Sequence, residues 1–189
     1  MSLSEPTVAR QPLHRRTIEI VGYRRDDGLF DIEGHLLDRK DIDFKLASGM
    51  RPAGEPIHSM WLRLTVDRTL TIVDAAASMH AMPFAGECDK IVPDYRKLIG
   101  LTLRAGYNRK LKEIFGGTKG CTHITELAGS MATATYQTFA GQGLADPEKK
   151  PFSLDGCHAQ VTTGPVVAKY HPKWYRGPRT PPETGNDHS

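Results

Sequence analysis

Hydrophobic residues in the first half of the chain recur with a period of two, as expected of strands that bury one face. Ile18 and Ile20 alternate with Thr17 and Glu19; Phe30, Ile32 and Leu36 with Asp31, Glu33 and His35; Ile42 and Phe44 with Asp41 and Asp43. Asp26-Asp27-Gly28 marks a turn between the first two strands, because Asp-Gly tolerates the positive φ angles a hairpin needs. The longest strand runs from Ile57 to Asp67, with Met60, Leu62, Leu64 and Val66 on one face and Ser59, Trp61, Arg63 and Thr65 on the other. His58 heads the apolar row. A turn at Asp67-Arg68-Thr69 leads into a partner strand, Leu70 to Ala75, whose inner face carries Leu70, Ile72 and Asp74, with Asp74 opposite Leu62. Together these segments predict an antiparallel meander.

The period then changes. Asp94 to Leu103 reads as a short helix after Pro93, and Asn108 to Phe115 as a second, stopped by Gly116-Gly117. From Cys121 to Phe139, Ile124, Leu127, Ala128, Met131, Thr135 and Thr138 form one stripe at helical spacing, which predicts a long helix with a buried side. Val166, Val167 and Ala168 predict a last strand over Pro165 to Tyr170. Strands followed by helices give an α+β class: a curved, mostly antiparallel sheet packed against one long and two shorter helices.

Residues 1–12 and 176–189 read as flexible tails, since both are too poor in apolar residues to offset the entropy of ordering. Residues 13–175 then form a single domain, with Gly141 to Pro151 as the only internal linker candidate. At 189 residues, 39% apolar and 25% charged, such a chain stands without disulfides. Its three cysteines form no secreted framework and imply a reducing compartment, so a cytoplasmic location is expected. No segment resembles a signal peptide, and no apolar run reaches the ~20 residues that span a bilayer, so no membrane partner is expected. The net charge of +3 is dispersed along the chain, which argues against nucleic acid as a partner. A small-molecule ligand is expected, and a homo-oligomer is compatible with the sequence.

Three places carry candidate chemistry. In Gly116 to Leu127, glycines lead tightly into a helix whose first turn holds Cys121 and His123, where free N–H groups favour a thiolate or an anion. In regular helix the two side chains would lie about 160° apart and could not easily share one metal. Cys157 and His158, adjacent on a turn, would face opposite sides of an extended chain. His58, at the end of an inward row, must be hydrogen-bonded or face a cavity, and its charge changes near neutral pH, which suits a general acid or base. Cys88 could join Cys121 and Cys157 around zinc or iron, although their spacing carries no motif and the sequence requires no cofactor. Arg63 and Arg104 are candidates for holding a carboxylate.

His14-Arg15-Arg16, Asp27-Gly28, Asp31-Ile32-Glu33-Gly34, Asp38, Pro56-Ile57-His58, Cys88, Gly120-Cys121-Thr122-His123 and Asp155-Gly156-Cys157-His158 occur in a familiar order. Together they resemble the bacterial family catalogued as domain of unknown function 2889, over roughly residues 12–175. The resemblance implies a cytosolic protein without an established general activity. It also implies that His14, His58, Cys88, Cys121, His123, Cys157 and His158 form one set.

Three readings follow. The first is a small-molecule enzyme of lyase, decarboxylase or hydrolase type, acting on an organic acid or aromatic catabolite. There His58 and His123 would move protons, with Cys121 or Cys157 as nucleophile or pocket wall and His158 as a further catalytic candidate. The second is a Cys/His metal-binding or redox accessory protein. The third is a noncatalytic small-ligand-binding module.

Overall fold

The computed structural model describes residues 3–143 and 148–178, so the tail beyond 178 and part of the expected linker lie outside the described residues. The chain divides into two compact units, Met1–Gly141 and Gln142–Ser189. The boundary falls at the start of the Gly141–Pro151 linker candidate.

In the first unit, residues 3–13 are irregular and exposed. A four-stranded antiparallel sheet follows, ordered β1 (His14–Arg24), β2 (Phe30–Lys40), β5 (Pro56–Val66) and β6 (Ile72–Ala81). The α+β class is thus observed, with an open sheet that is not strongly curled. The turn from β1 to β2 is closed by Arg25 N–H donating to the Leu29 carbonyl, and Gly28 takes φ 83° there, as Asp-Gly suggests. A small hairpin, β3 (Phe44–Leu46) and β4 (Gly49–Arg51), is inserted between β2 and β5. Residues 41–43, expected from their alternation to belong to a strand, lie outside the strands; Asp43 is exposed and accepts the Ala53 N–H.

The inner face follows the period-two pattern: Phe30, Ile32 and Leu36 of β2 and Met60, Leu62, Leu64 and Val66 of β5 are all buried. Across it lies α2 (Thr122–Phe139), whose Ile124, Leu127, Ala128, Met131 and Thr135 are buried. Two glycines let the helix approach. A Cβ at Gly34 would lie 2.8 Å from Leu127 Cδ1, and one at Gly22 would lie 2.7 Å from Thr138 Cβ and closer still to its hydroxyl. Since Arg16 meets Glu126 and Gly22 meets Thr138, α2 runs in the direction of β1.

Other segments depart from expectation. The helix expected over Asp94 to Leu103 is a 3-10 helix over Cys88–Leu98 with Pro93 inside it. The ring of Pro93 supplies no N–H to continue a regular α-helical ladder. Residues 100–103 continue past it as an extended segment along the start of β6: Ile72 donates to Leu101, and Gly100 to Ile72. The helix expected over Asn108 to Phe115 is α1 (Tyr107–Phe115). The strand after the Asp67 turn starts later and runs longer than expected, and a register irregularity at Thr65/Val66 places Asp74 opposite Thr65 rather than Leu62.

In the second unit, the segment read as a final strand is a short helix, α3 (Pro165–Tyr170), with Pro165 at its first position. Proline is preorganised for a helical start, and this outweighs the β preference of two valines. Asp155, at φ 63°, accepts the Thr162 N–H at 2.8 Å and the Lys150 ammonium at 2.6 Å, closing the loop between them. The Lys150 hydrogen bond, helped by the Thr162 N–H, pulls the Asp155 carboxyl down to about 2.

Candidate functional site

The strand pairing creates a polar row at one end of the otherwise apolar inner face. In register, Arg16 of β1 pairs with Asp38 of β2, and Asp38 pairs with His58 of β5. Asp38 and His58 share the parity of the buried residues on their strands, and Arg16 that of the half-buried Ile18 and Ile20, so their side chains rise toward α2 rather than toward the outer face. A register irregularity beside Asp38 lets Asp38 and Arg39 face His58 and Pro56, leaving Ile57 as the extra residue. A second one at Ser59/Met60 follows on the other side of His58. Such bulges bend a strand locally and re-aim its side chains.

Asp38 is the hub. It is only 1% exposed, and five nitrogen atoms from four side chains converge on it. Arg16 grips both oxygens in a fork, Nε donating to Oδ1 at 2.8 Å and Nη2 to Oδ2 at 2.7 Å. His14 Nε2 stands 3.2 Å from Oδ1, His58 Nδ1 3.0 Å from Oδ2, and His123 Nε2 3.5 Å from Oδ2. The third nitrogen of Arg16 reaches Glu126 on α2 at 2.5 Å, tying sheet to helix. Planar bidentate pairing of this kind fixes the carboxylate plane as well as neutralising it.

His123 reaches the row because α2 starts where it does. Tyr95, fully buried, donates its hydroxyl to the Cys121 carbonyl at 3.0 Å, accepts the Cys121 N–H at 3.1 Å and meets the Thr125 hydroxyl at 3.0 Å. That clamp holds the first turn of α2 against the 3-10 helix. Cys121 is the residue before the helix, in extended conformation, and not its first turn. Regular helical geometry therefore does not separate it from His123, and its Sγ lies 3.9 Å from His123 Nδ1. The His58 and His123 rings stack with centroids 3.7 Å apart.

Burial sets the protonation states. Burial would raise the Asp38 carboxyl, but the Arg16 hydrogen bonds and charge, with help from His58, hold it below its ordinary range. Desolvation lowers the proton affinity of His58, with Asp38 opposing. Desolvation lowers that of His123 too, and the neighbouring His58 adds to the effect. Near pH 7 Asp38 is therefore an anion and both imidazoles are neutral. An ionised carboxylate only accepts, so the Nδ1 of His58 carries the proton and its Nε2 is left with a free lone pair.

The row opens into a cleft of about 290 Å³. Beside Asp38, His58 and His123, its walls include Lys40 at the end of β2, Phe44 and Leu46 of the small hairpin, and Ile57 and Pro83. It is therefore a polar floor with one apolar flank.

Of the residues singled out by sequence, the structure brings His58, His123 and Cys121 together, with His14 joining them. Arg63 is on the opposite face of β5, 3.8 Å from Glu33. Arg104 donates to the Thr69 carbonyl in the β5–β6 turn, at the other end of the strand from His58. Cys88 begins the 3-10 helix and is half-buried. Cys157 and His158 lie on the exposed Asp155 loop of the second unit. Among the described residues, the side chains whose donor atoms converge closely enough for one metal ion are Asp38, His58 and His123, all within 4.8 Å. That group contains no thiol, unlike the Cys88, Cys121 and Cys157 set considered from sequence.

The hub itself, Asp38, is not among the chemically argued sequence candidates, yet its signal was present. It falls on the same parity as Phe30, Ile32 and Leu36, so it is a carboxylate on a dry row. Lys40 carries no such signal, because its place in the cleft depends on the hairpin that folds beside it.

Fold and site define the class: an α+β domain whose sheet carries a buried Arg–Asp–His row, open to a small cleft at the N-terminus of its long helix. The chain belongs to the family described as Protein of unknown function (DUF2889), whose model matches residues 14–137. The match spans the sheet, the whole Asp38 cluster and nearly all of α2, and it ends before Cys157 and His158. No curated protein and no solved structure matches the chain. No helix among the described residues is long and apolar enough to cross a membrane.

Proposed function

We propose that the cleft is the active site of a small-molecule enzyme in which His58 exchanges a proton with a bound organic acid. Asp38 fixes the tautomer and orientation of the ring, and Arg16 fixes Asp38. The observation that carries this reading is the near-complete burial of Asp38 with His58 Nδ1 on one of its oxygens. A buried carboxylate of this kind holds an imidazole in the form that leaves Nε2 as base, and it stabilises the imidazolium that forms. Lowered by burial, His58 is unprotonated at neutral pH and ready to accept. Reactions that begin or end with such a transfer include lyase, decarboxylase and hydrolase steps. His123, with Cys121 behind it, is the second proton-carrying group on the same carboxylate.

The test is turnover of a panel of organic acids by the intact protein and by H58Q. Substrate conversion that H58Q abolishes supports the reading. Conversion that persists in both H58Q and H123Q removes it, and a retained metabolite released unchanged favours a binding module instead.

A second reading, a transition-metal centre, is favoured by the convergence of Asp38, His58 and His123. Their separations of 3.0 and 3.5 Å from Asp38 Oδ2 bracket the ~3.4 Å edge of a tetrahedral shell with bonds of about 2.1 Å. Zinc or iron suits such nitrogen and oxygen donors. Ring orientation opposes it: an ion lies in the plane of each imidazole that binds it, whereas these rings stack face to face, inclined by 30°. One equivalent of zinc or iron in the purified protein, lost in H123A, would decide for the metal centre.

A further inference from the structure

The charges around the cleft do not cancel. Arg16 is neutralised twice, by Asp38 and by Glu126. Asp38, the only acidic residue in the wall among the described residues, is in turn fully engaged with Arg16 and the imidazoles. Lys40 remains. It is half-buried, and among the described residues its ammonium has no acidic partner; its contact is the Phe44 ring, 5.0 Å from Nζ to centroid. An ammonium held partly out of water beside apolar groups lacks compensation until an anion joins it.

The surroundings of Lys40 restrict what that anion is attached to. In register, Lys40 is opposite His14 on the β1–β2 pair, so an ammonium and an imidazole line one rim. The same cleft is lined by Phe44, Leu46 and Pro83, which offer apolar surface and no charge. The volume of about 290 Å³ sits at the low end of the ~300–1,000 Å³ usual for small-molecule sites. Arg16, the group best shaped for a doubly charged phosphate, has both ends of its fork occupied.

We infer that the cleft takes a small monocarboxylate with an apolar body, its carboxylate against Lys40 and its hydrocarbon part against Phe44, Leu46 and Pro83. Lys40 thus takes the part that sequence offered to Arg63 or Arg104. This deepens the proposed function in naming the substrate class, and it rests on the same cleft being the ligand site. Binding, however, is read without turnover.

The experiment is titration of the full chain with benzoate, cyclohexanecarboxylate and benzamide, followed by amide and imidazole NMR shifts. Both carboxylates should shift His58 and the Phe44–Arg51 hairpin saturably, and uncharged benzamide should bind about tenfold to a hundredfold more weakly, the worth of one charge-assisted contact. K40M should weaken benzoate by the same factor and leave benzamide unchanged, while K40R keeps most of the benzoate affinity. Because Lys40 sits at the rim, K40M is expected to fold, and its far-UV dichroism checks this. Equal binding of benzoate and benzamide, unaltered benzoate affinity in K40M, or no saturable carboxylate binding would each overturn the inference. Selective carboxylate binding without conversion of any acid would instead count against the catalytic reading and leave this one standing.

Discussion

Replacing Asp38 by Asn tests whether the hub is held as described. The substitution keeps volume and shape, so it opens no cavity and isolates the loss of charge. In its place a neutral amide faces the Arg16 fork and the imidazoles, and one end of that amide is itself a donor pointed at donors. Removing one partner of a fully buried ion pair costs about 3–5 kcal/mol. Arg16 is about one third exposed, at 32%, and keeps Glu126, so part of its charge rehydrates. We therefore expect a loss of ~2–4 kcal/mol. At roughly 2–4 °C per kcal/mol for a chain of this size, the melting temperature falls by ~5–15 °C. Urea unfolding followed by fluorescence and dichroism measures it as a lower midpoint with an unchanged slope. The double variant R16M/D38N should lose less than the sum of the single variants, because it removes both partners together. A loss below about 0.5 kcal/mol, the range of an ordinary surface substitution, would refute the buried hub.

Stability should depend on pH in a definite direction. His58 and His123 hold their protons less tightly when folded than their ordinary value of 6.5. Below that pH the unfolded chain takes up more protons than the folded one, so stability is full above about pH 6.5 and declines as pH falls. Asp38, held below its ordinary 3.8, adds a further loss in stronger acid; stability that rose from pH 6.5 to 5 would contradict both shifts. Y95F leaves the Cys121 N–H without its acceptor, and should cost about 1–3 kcal/mol. Faster hydrogen exchange in the first turn of α2 is expected with it, and unchanged exchange would show that Tyr95 is not the clamp. G22A drives a methyl group into Thr138, whose Cβ cannot swing aside, so α2 must lift from β1 at a cost of about 1–3 kcal/mol, again read by urea unfolding.

Much of the sheet was legible because one face is buried and the other is not, so parity alone sorted Ile32, Leu36, Met60, Leu62 and Leu64 from their neighbours. The same was true of α2, where Ile124, Leu127, Ala128 and Met131 recur with helical spacing over about two turns. Pro165-Val166-Val167 was not legible, since a short apolar run has no periodicity to distinguish helix from strand. The start of β6 was misplaced because the turn after Val66 is wider than three residues, with Asp67 holding Thr69 and Thr71, and the irregularity at Thr65/Val66 then shifts the register without altering the hydrophobic pattern. For the site, His58 was found by its place on an apolar row, and Asp38 could have been found by the same rule. Their adjacency could not, since it depends on which residues pair across β2 and β5. The approach of Cys121 to His123 was hidden for another reason: it turns on a helix beginning one residue later than the glycine-rich approach suggested.

The central claim is that burial keeps His58 neutral while Asp38 fixes its remaining proton on Nδ1, leaving the Nε2 lone pair free. Long-range ¹⁵N–¹H spectra of the histidine rings read this directly across a pH titration. The expected result is the Nδ1–H tautomer of His58 at pH 7 and a midpoint below 6.5, moving lower still in D38N because Asp38 is the group that favours the imidazolium. An Nε2–H tautomer, or a midpoint that D38N leaves in place, would contradict it.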